Sequence, residues 1–302
     1  MDLFSISQLA RYSGIKAHTI RIWEQRYDAL KPNRSEGNTR YYDSSQLRRL
    51  LNIVSLSGSG YRVSELCEMP DKKLFELVNK TTTERIDTAA KSEYYISQLI
   101  AAGMSYDENH FEKIYSSCFV RYGMKDTYTL VIYPMLVRVG LMWAGDAIPP
   151  ANEHFISNLV RQKLFTAIDS LPPAEKGSEK WVLYLRENEF HEIGLLFTSY
   201  LIRLSGQQVL YLGADVPMES LQNSIKQIKP DYLLFFLVHH EVPEEVDQYT
   251  AELRKIFPGK RIFMAADESL LNQLNMQGRI QGLRSVEELE TYLSEKKGLR
   301  NL

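Results

Sequence analysis

The sequence predicts a multidomain chain of α and α/β class: a helical head, a helical middle and a doubly wound parallel sheet at the C-terminal end. Three observations carry this. Two short amphipathic segments are broken at Gly14, helical periodicity runs from 76 to 172 with no convincing strand, and apolar strands alternate with amphipathic helices from 180 onward. At 302 residues the chain has room for two or three domains with cores of their own.

The head spans 1–75. Ser5 and Gln8 form a capping-box pattern ahead of a short helix carrying Ile6, Leu9 and Ala10. Ser13 to Lys16 read as a tight turn, and Ala17 to Tyr27 as a second helix with Ile20 and Trp23 turned inward. Two short helices joined by a Gly-containing turn make a helix-turn-helix. A polar loop from Lys31 then closes on a short Arg/Tyr strand at Arg40 to Tyr42. Asp43 is placed to cap a third helix through Leu56, and Val63 to Cys67 opens a fourth.

The middle, 76–172, is read as helices near 83–102, 108–122, 125–143 and 151–170, broken by Gly103, Gly123 and Pro149-Pro150. Four helices with short links predict a bundle. Leu171 to Lys180 is a linker by composition.

In 173–302, strands are expected at 181–185, 208–212, 231–238 and 261–265. Helices are expected at 193–204, 217–228, 243–256, 268–276 and 285–297. That alternation predicts a flavodoxin-like doubly wound sheet. The run Glu189-Phe190-His191-Glu192-Ile193-Gly194 falls in the first strand-to-helix loop, at the carboxyl edge where such sheets bind ligands. There Glu189 is placed to hold one nitrogen of His191 and present the other to a metal or cofactor.

Charge separates the head from the body. The first 50 residues hold nine Lys/Arg against five Asp/Glu, leaving 27 against 33 in the remainder. A basic head on an acidic body is the footprint of nucleic-acid binding. Cys67 and Cys118 form no Cys-x-x-Cys unit and are expected as reduced core residues of a cytoplasmic protein. No signal peptide is expected, and the longest apolar run, Tyr232 to Val238, is too short to span a bilayer.

The stretch Ile6 to Tyr27, followed by Gly37-Asn38-Thr39-Arg40-Tyr41-Tyr42-Asp43, resembles the winged helix-turn-helix of the MerR family of transcription regulators. The resemblance covers the first quarter of the chain. It implies binding to pseudo-palindromic promoter DNA as a dimer. Lys16, His18, Thr19 and Arg21 would then lie at the groove-facing start of the recognition helix, and Arg26, Tyr27, Arg40 and Tyr41 would meet phosphates.

Trp143, nine further residues, and then Glu153-His154 is similar to the helical cap of the cobalamin-binding MerR regulators, the CarH and LitR photoreceptor group. This resemblance implies adenosylcobalamin held between a helical cap and an α/β domain. Trp143 would cover its upper face with Glu153 and His154 nearby, His191 would be the lower cobalt ligand polarised by Glu189, and Gly194 would allow close backbone approach. It also implies a transcriptional repressor, light as a further input, a dimeric or tetrameric assembly, and RNA polymerase or an antirepressor protein as partners.

The chain departs from that pattern in three places. Where the family carries Ser-x-Leu or Ser-x-Thr it has Phe236-Leu237-Val238, where the family carries Gly-Gly it has Ala265-Ala266, and Ala144 follows the Trp where light-sensing members place a His. The family's serine and glycines make room for the cofactor's nucleotide tail, so the larger residues narrow that slot. Either the tail threads differently, with His239, His240 or Asp267 as polar partners, or the chain has lost cobalamin and answers to a protein partner. A corrinoid-carrying enzyme module is a third reading. Against it stands the head, and no nucleophile–base constellation is found, so no enzyme is expected.

Overall fold

The computed structural model describes residues 4–34, 40–57, 60–74, 77, 88–144, 148–174, 176–238, 242–274 and 280–300. The chain forms two compact units, Met1–Leu159 and Val160–Leu302.

The first unit begins with α1 (Ile6–Ser13) and α2 (Ala17–Tyr27), separated by Gly14 in the left-handed conformation (φ 69°). The capping box at Ser5 and Gln8 is present in both directions. Strands β1 (Asn33–Arg34) and β2 (Arg40–Tyr41) pair antiparallel as a wing. Residues 35–39 of the wing, with the motif residues Gly37, Asn38 and Thr39, lie outside the described residues. Phe4 and Tyr42 exchange backbone hydrogen bonds of 2.7 and 2.8 Å, tying the wing's return to the start of the chain. Ile20 is fully buried as expected, whereas Trp23 is only half-buried. Asp43 caps α3 (Ser44–Ser57) by accepting from Gln46 N at 2.9 Å, and α4 (Val63–Glu68) follows.

Arg49 on α3 donates to Cys67 O and Met69 O at the end of α4 and to Ala29 O just past α2, at 2.6–2.9 Å, satisfying carbonyls that the two helices leave bare. One of the nine cations counted in the head therefore serves its interior.

The helical region contains α5 (Thr88–Met104), α6 (Glu108–Thr127), α7 (Tyr133–Ala144) and α8 (Pro150–Asp169). Gly123 breaks α6 with a left-handed φ of 73°. The expected helix over 125–143 is interrupted by a π turn at Tyr128–Ile132. Pro134, just beyond it, has no N–H to give to the carbonyl four residues back, and Tyr133 N reaches Tyr128 O instead. Arg138 on α7 grips Glu93 on α5 with both terminal nitrogens, at 2.7 and 2.9 Å. Gly103 lets α8 approach α5, because a Cβ there would stand 2.3 Å from Ile156 Cγ1. Beside it the buried Asn152 donates to the carbonyls of Gly103 and Met104 at 3.1 and 3.3 Å.

The second unit is a five-stranded, wholly parallel sheet in the order β4-β3-β5-β6-β7. Its strands are β3 (Lys180–Arg186), β4 (Gln208–Val216), β5 (Tyr232–Phe236), β6 (Arg261–Ala265) and β7 (Ile280–Leu283). The crossovers are α9 (Ile193–Leu204), α10 (Met218–Ile228), α11 (Pro243–Ile256) and α12 (Glu268–Gln273), and α13 (Val286–Arg300) closes the chain. β7 is a strand not expected from the sequence: Ile280-Gln281-Gly282-Leu283 has no β-branched run, and its strand conformation comes from pairing with β6. Two further boundaries are corrected. The strand expected to end at 238 ends at Phe236, and β4 runs on to Val216 past a register shift at Gly213, whose φ is 81°.

Trp181, Val182, Leu183, Tyr184 and Leu185 of β3 are all fully buried, as a central strand covered on both faces requires. Trp181 stacks with Phe263 and meets Tyr292 edge-on, so α13 covers one face through aromatic contacts.

Candidate functional sites

The head supplies one site. Lys16, His18, Arg21 and Arg26 are exposed along α2, and Thr19 and Tyr27 are half-buried. Lys16 sits at the N-cap with no side-chain cap bond, and no acid lies in the first turn. The bare N–H groups and the cation there favour an anion such as a phosphate. Arg40 and Tyr41 are half-buried on the wing strand. Arg40 Nε lies 3.5 Å from Glu24, whose side chain is almost fully buried and also accepts from the Tyr42 hydroxyl. Burial, and then Glu24, hold that hydroxyl well above the ordinary tyrosine range. Glu24 thus locks the wing to α2 in one orientation.

On the helical region of the first unit, Trp143 lies in the last turn of α7 and is half-exposed. Glu153 and His154 lie in the first turn of α8, with His154 Nδ1 2.9 Å from Glu153 Oε2 and Ser157 donating to the same carboxylate. An acid in that turn suits the helix dipole. Asn152, which the sequence reading did not single out, fixes the turn on the end of α5.

The second unit carries the His191 site, on the loop between β3 and α9. Glu189 is buried, and its Oε1 lies 2.8 Å from His191 Nδ1 and accepts from His191 N at 2.9 Å. With Nδ1 engaged by the carboxylate, Nε2 is the nitrogen that would take a metal. The His191 side chain is 54% exposed, so the imidazole stands at the mouth of the sheet.

The loop is held by a clasp that the sequence did not reveal. Asn188 N donates to Asp215 Oδ1 at 2.9 Å, and Asp215 N donates to Glu189 O at 3.1 Å. Asn188 and Asp215 both have left-handed φ, 66° and 56°, a conformation Asn and Asp tolerate better than other non-glycine residues. Glu192, which directly follows His191, accepts from Tyr211 OH at 2.9 Å and lies 3.4 Å from Arg161 Nε. Burial and then Glu192 raise the Tyr211 hydroxyl above its ordinary range.

Gly194, expected to let a ligand approach the backbone, has a different neighbour. A Cβ there would stand 3.0 Å from Phe236 Cε1 and 3.4 Å from Cδ1, so the Phe236 ring fills that approach. Leu237 N donates to Ala265 O at 2.9 Å, carrying the β5–β6 pairing past Phe236, and Ala265 is buried. Asp267, one of the polar partners expected for a tail, caps α12 by accepting from Ser269 N at 2.8 Å. His239 and His240 lie outside the described residues. The pair Glu189–His191 therefore presents one imidazole nitrogen that could take a metal, while Phe236 narrows the space beside Gly194.

Comparison with known proteins finds two family matches and several relatives. Residues 4–72 match the family described as MerR HTH family regulatory protein, and residues 95–167 match the family described as B12 binding domain. The chain is 25% identical over 259 residues to the HTH-type transcriptional repressor CarH of Myxococcus xanthus, covering 84% of this chain and 85% of that protein. It is 27% identical over 241 residues to the repressor CarA of the same organism, covering 80% and 78%. Over 66 residues it is 32% identical to the regulator MlrA of Escherichia coli (strain K12), covering 22% of this chain and 27% of that one. Among solved structures, the Methanosarcina barkeri monomethylamine corrinoid protein shares the fold. It has a TM-score of 0.52 at 13% identity, covering 68% of this chain and 99% of that one.

Proposed function

We propose that this chain, a regulator with a MerR-family helix-turn-helix head and a B12-binding domain, is a DNA-binding transcriptional repressor whose hold on its operator is set by a corrinoid. The observation that carries the corrinoid control is the buried Glu189 engaging His191 Nδ1 at 2.8 Å, on a loop clasped in place at the mouth of the parallel sheet. A metal ligand needs such a partner to fix its tautomer and raise its basicity. Among the described residues no three His, Cys, Asp or Glu side chains converge on one point. A corrin brings four nitrogens of its own, so one imidazole suffices.

We assign 1–75 to the DNA-binding head, 76–172 to the cap and 173–302 to the corrinoid domain. Adenosylcobalamin is the form we propose, with Trp143, Glu153 and His154 on the cap side and His191 as the lower ligand. Bound there, the group supplies a light-cleavable cobalt–carbon bond. A corrinoid that binds one arrangement of the domains more tightly than another would shift DNA affinity by linkage. One head neutralises few phosphates, so we propose at least a dimer on DNA, acting in the cytoplasm with RNA polymerase or an antirepressor protein as partner.

The test selects DNA fragments with the full chain and measures their affinity with and without adenosylcobalamin, in the dark and after illumination. A change of about five-fold or more in operator affinity supports corrinoid control. An unchanged affinity, together with no spectral shift of the corrin, overturns it. A second reading, that the scaffold persists without cobalamin and answers to a protein partner, is favoured by Phe236 closing the space over Gly194.

A further inference from the structure

In a parallel sheet of order β4-β3-β5-β6-β7 the chain reverses direction between β3 and β5, and a crevice opens there outside the carboxyl ends of the strands. A ligand arm that enters such a domain enters at this crevice. Its walls are the first turn of α9 and the end of β5, and here they lie close: a Cβ added at Gly194 would stand 3.0, 3.4 and 3.7 Å from Phe236 Cε1, Cδ1 and Cζ. Gly194 thus accommodates the protein's own ring. The neighbouring side is closed as well, because Leu237 is buried and its N–H pairs with Ala265 O. Ala266 packs against the same apolar core.

His191 lies outside this plug. Its ring remains 54% exposed on the rim, with Nδ1 engaged by Glu189. A metal ligand on an open rim above a filled crevice suits a flat macrocycle lying across the sheet edge. It does not suit one that must drive an arm down between β3 and β5, because a packed core resists added atoms.

We propose that the α/β unit takes corrinoids without a nucleotide tail, the cobinamide class, in preference to the tailed cobalamins it also binds, and that Phe236 is the residue that sets this preference. The inference rests on the corrinoid reading above, and the experiment separates the two. The full chain is titrated in the dark with aquacobinamide and with hydroxocobalamin, reading the visible bands that move when an imidazole takes the lower axial position. The wild type, Phe236→Ser and His191→Ala are compared, each checked for folding by thermal melting. Cobinamide also lacks the intramolecular base that competes with His191, so the change in the ratio of affinities on Phe236→Ser reads the crevice itself.

The expected result is a wild-type preference for cobinamide of about ten-fold or more, equivalent to about 1.4 kcal/mol. Phe236→Ser should narrow or reverse that preference, and His191→Ala should abolish the shift. If the wild type prefers hydroxocobalamin, the inference is overturned while corrinoid control stands. If Phe236→Ser folds and leaves the ratio unchanged, the role of Phe236 is overturned. If neither corrinoid binds, both readings fall. Should Phe236→Ser not fold, Phe236→Leu removes the ring while keeping an apolar side chain, with the same narrowing expected and an unchanged ratio counting against the proposal.

Discussion

Gln98 on α5 donates through Nε2 to Asn52 Oδ1 on α3 at 2.8 Å, and both side chains are buried. His110 on α6 extends the chain, its Nε2 lying 3.1 Å from Gln98 Oε1. The DNA-binding head is therefore joined to the helical region through a buried polar relay. Such a contact is favourable when complete and costly when half-made. Replacing Gln98 with Leu should destabilise the chain by about 1–3 kcal/mol, because Asn52 is left buried without its donor. Thermal melts should show the loss, and the Asn52→Leu/Gln98→Leu pair should recover part of it. A double variant no better than the worse single one would count against the relay.

Acid should weaken the same junction. Burial lowers the His110 pKa below its ordinary 6.5, Asp107 opposes that shift, and the Arg48 and Lys113 cations reinforce it. Between the folded and unfolded values the unfolded chain binds more protons, so stability is complete above about pH 6.5 and falls as pH drops below it. The melting temperature at pH 5.5 should lie below that at pH 7.5, and His110→Gln should reduce the gap. An equal gap in the variant refutes the assignment.

Arg21 and Arg49 should separate DNA affinity from stability. Arg21 is exposed on α2, so Arg21→Ala should weaken operator binding by about 1–3 kcal/mol and relax its sequence preference, without moving the melting temperature. Arg49→Lys should instead lower the melting temperature, because a single ammonium cannot reproduce the fork that satisfies Ala29, Cys67 and Met69. Fluorescence anisotropy and calorimetry on both variants decide the matter.

At Gly103 the close helix contact should outweigh helix propensity. Alanine would gain about 1 kcal/mol in an open helix. Here its Cβ would stand 2.3 and 2.4 Å from Ile156 Cγ1 and Cδ1, so Gly103→Ala should destabilise by about 1–3 kcal/mol. Combined with Ile156→Ala, the loss should be smaller than the two single losses added. Strict additivity would show that the two positions do not meet.

Much of this architecture was legible in the residues because it is local. The Ser5–Gln8 capping box, the Asp43 cap, the helices at Ile193–Leu204 and Pro243–Ile256 and the strand at Arg261–Ala265 each announce themselves through short-range chemistry. The Glu189–His191 pair is two residues apart, and so belonged to the same legible class. What stayed hidden is set by the fold. β7 takes its conformation from a neighbour, Arg49 reaches carbonyls up to twenty positions away, and Gln98 meets a partner 46 positions back. The ring over Gly194 comes from β5, so the sequence suggested a narrowed slot but not that Phe236 fills it.

The clasp between Asn188 and Asp215 has a kinetic meaning. Two non-glycine residues are held left-handed, and the loop after β3 is tied to the end of β4 by hydrogen bonds within the protein. The imidazole on that loop need not be ordered by its ligand. Stopped-flow mixing should show a single phase whose rate rises linearly with ligand concentration, and differences among ligands should appear as residence times. A rate that saturates would mean that the loop must open first.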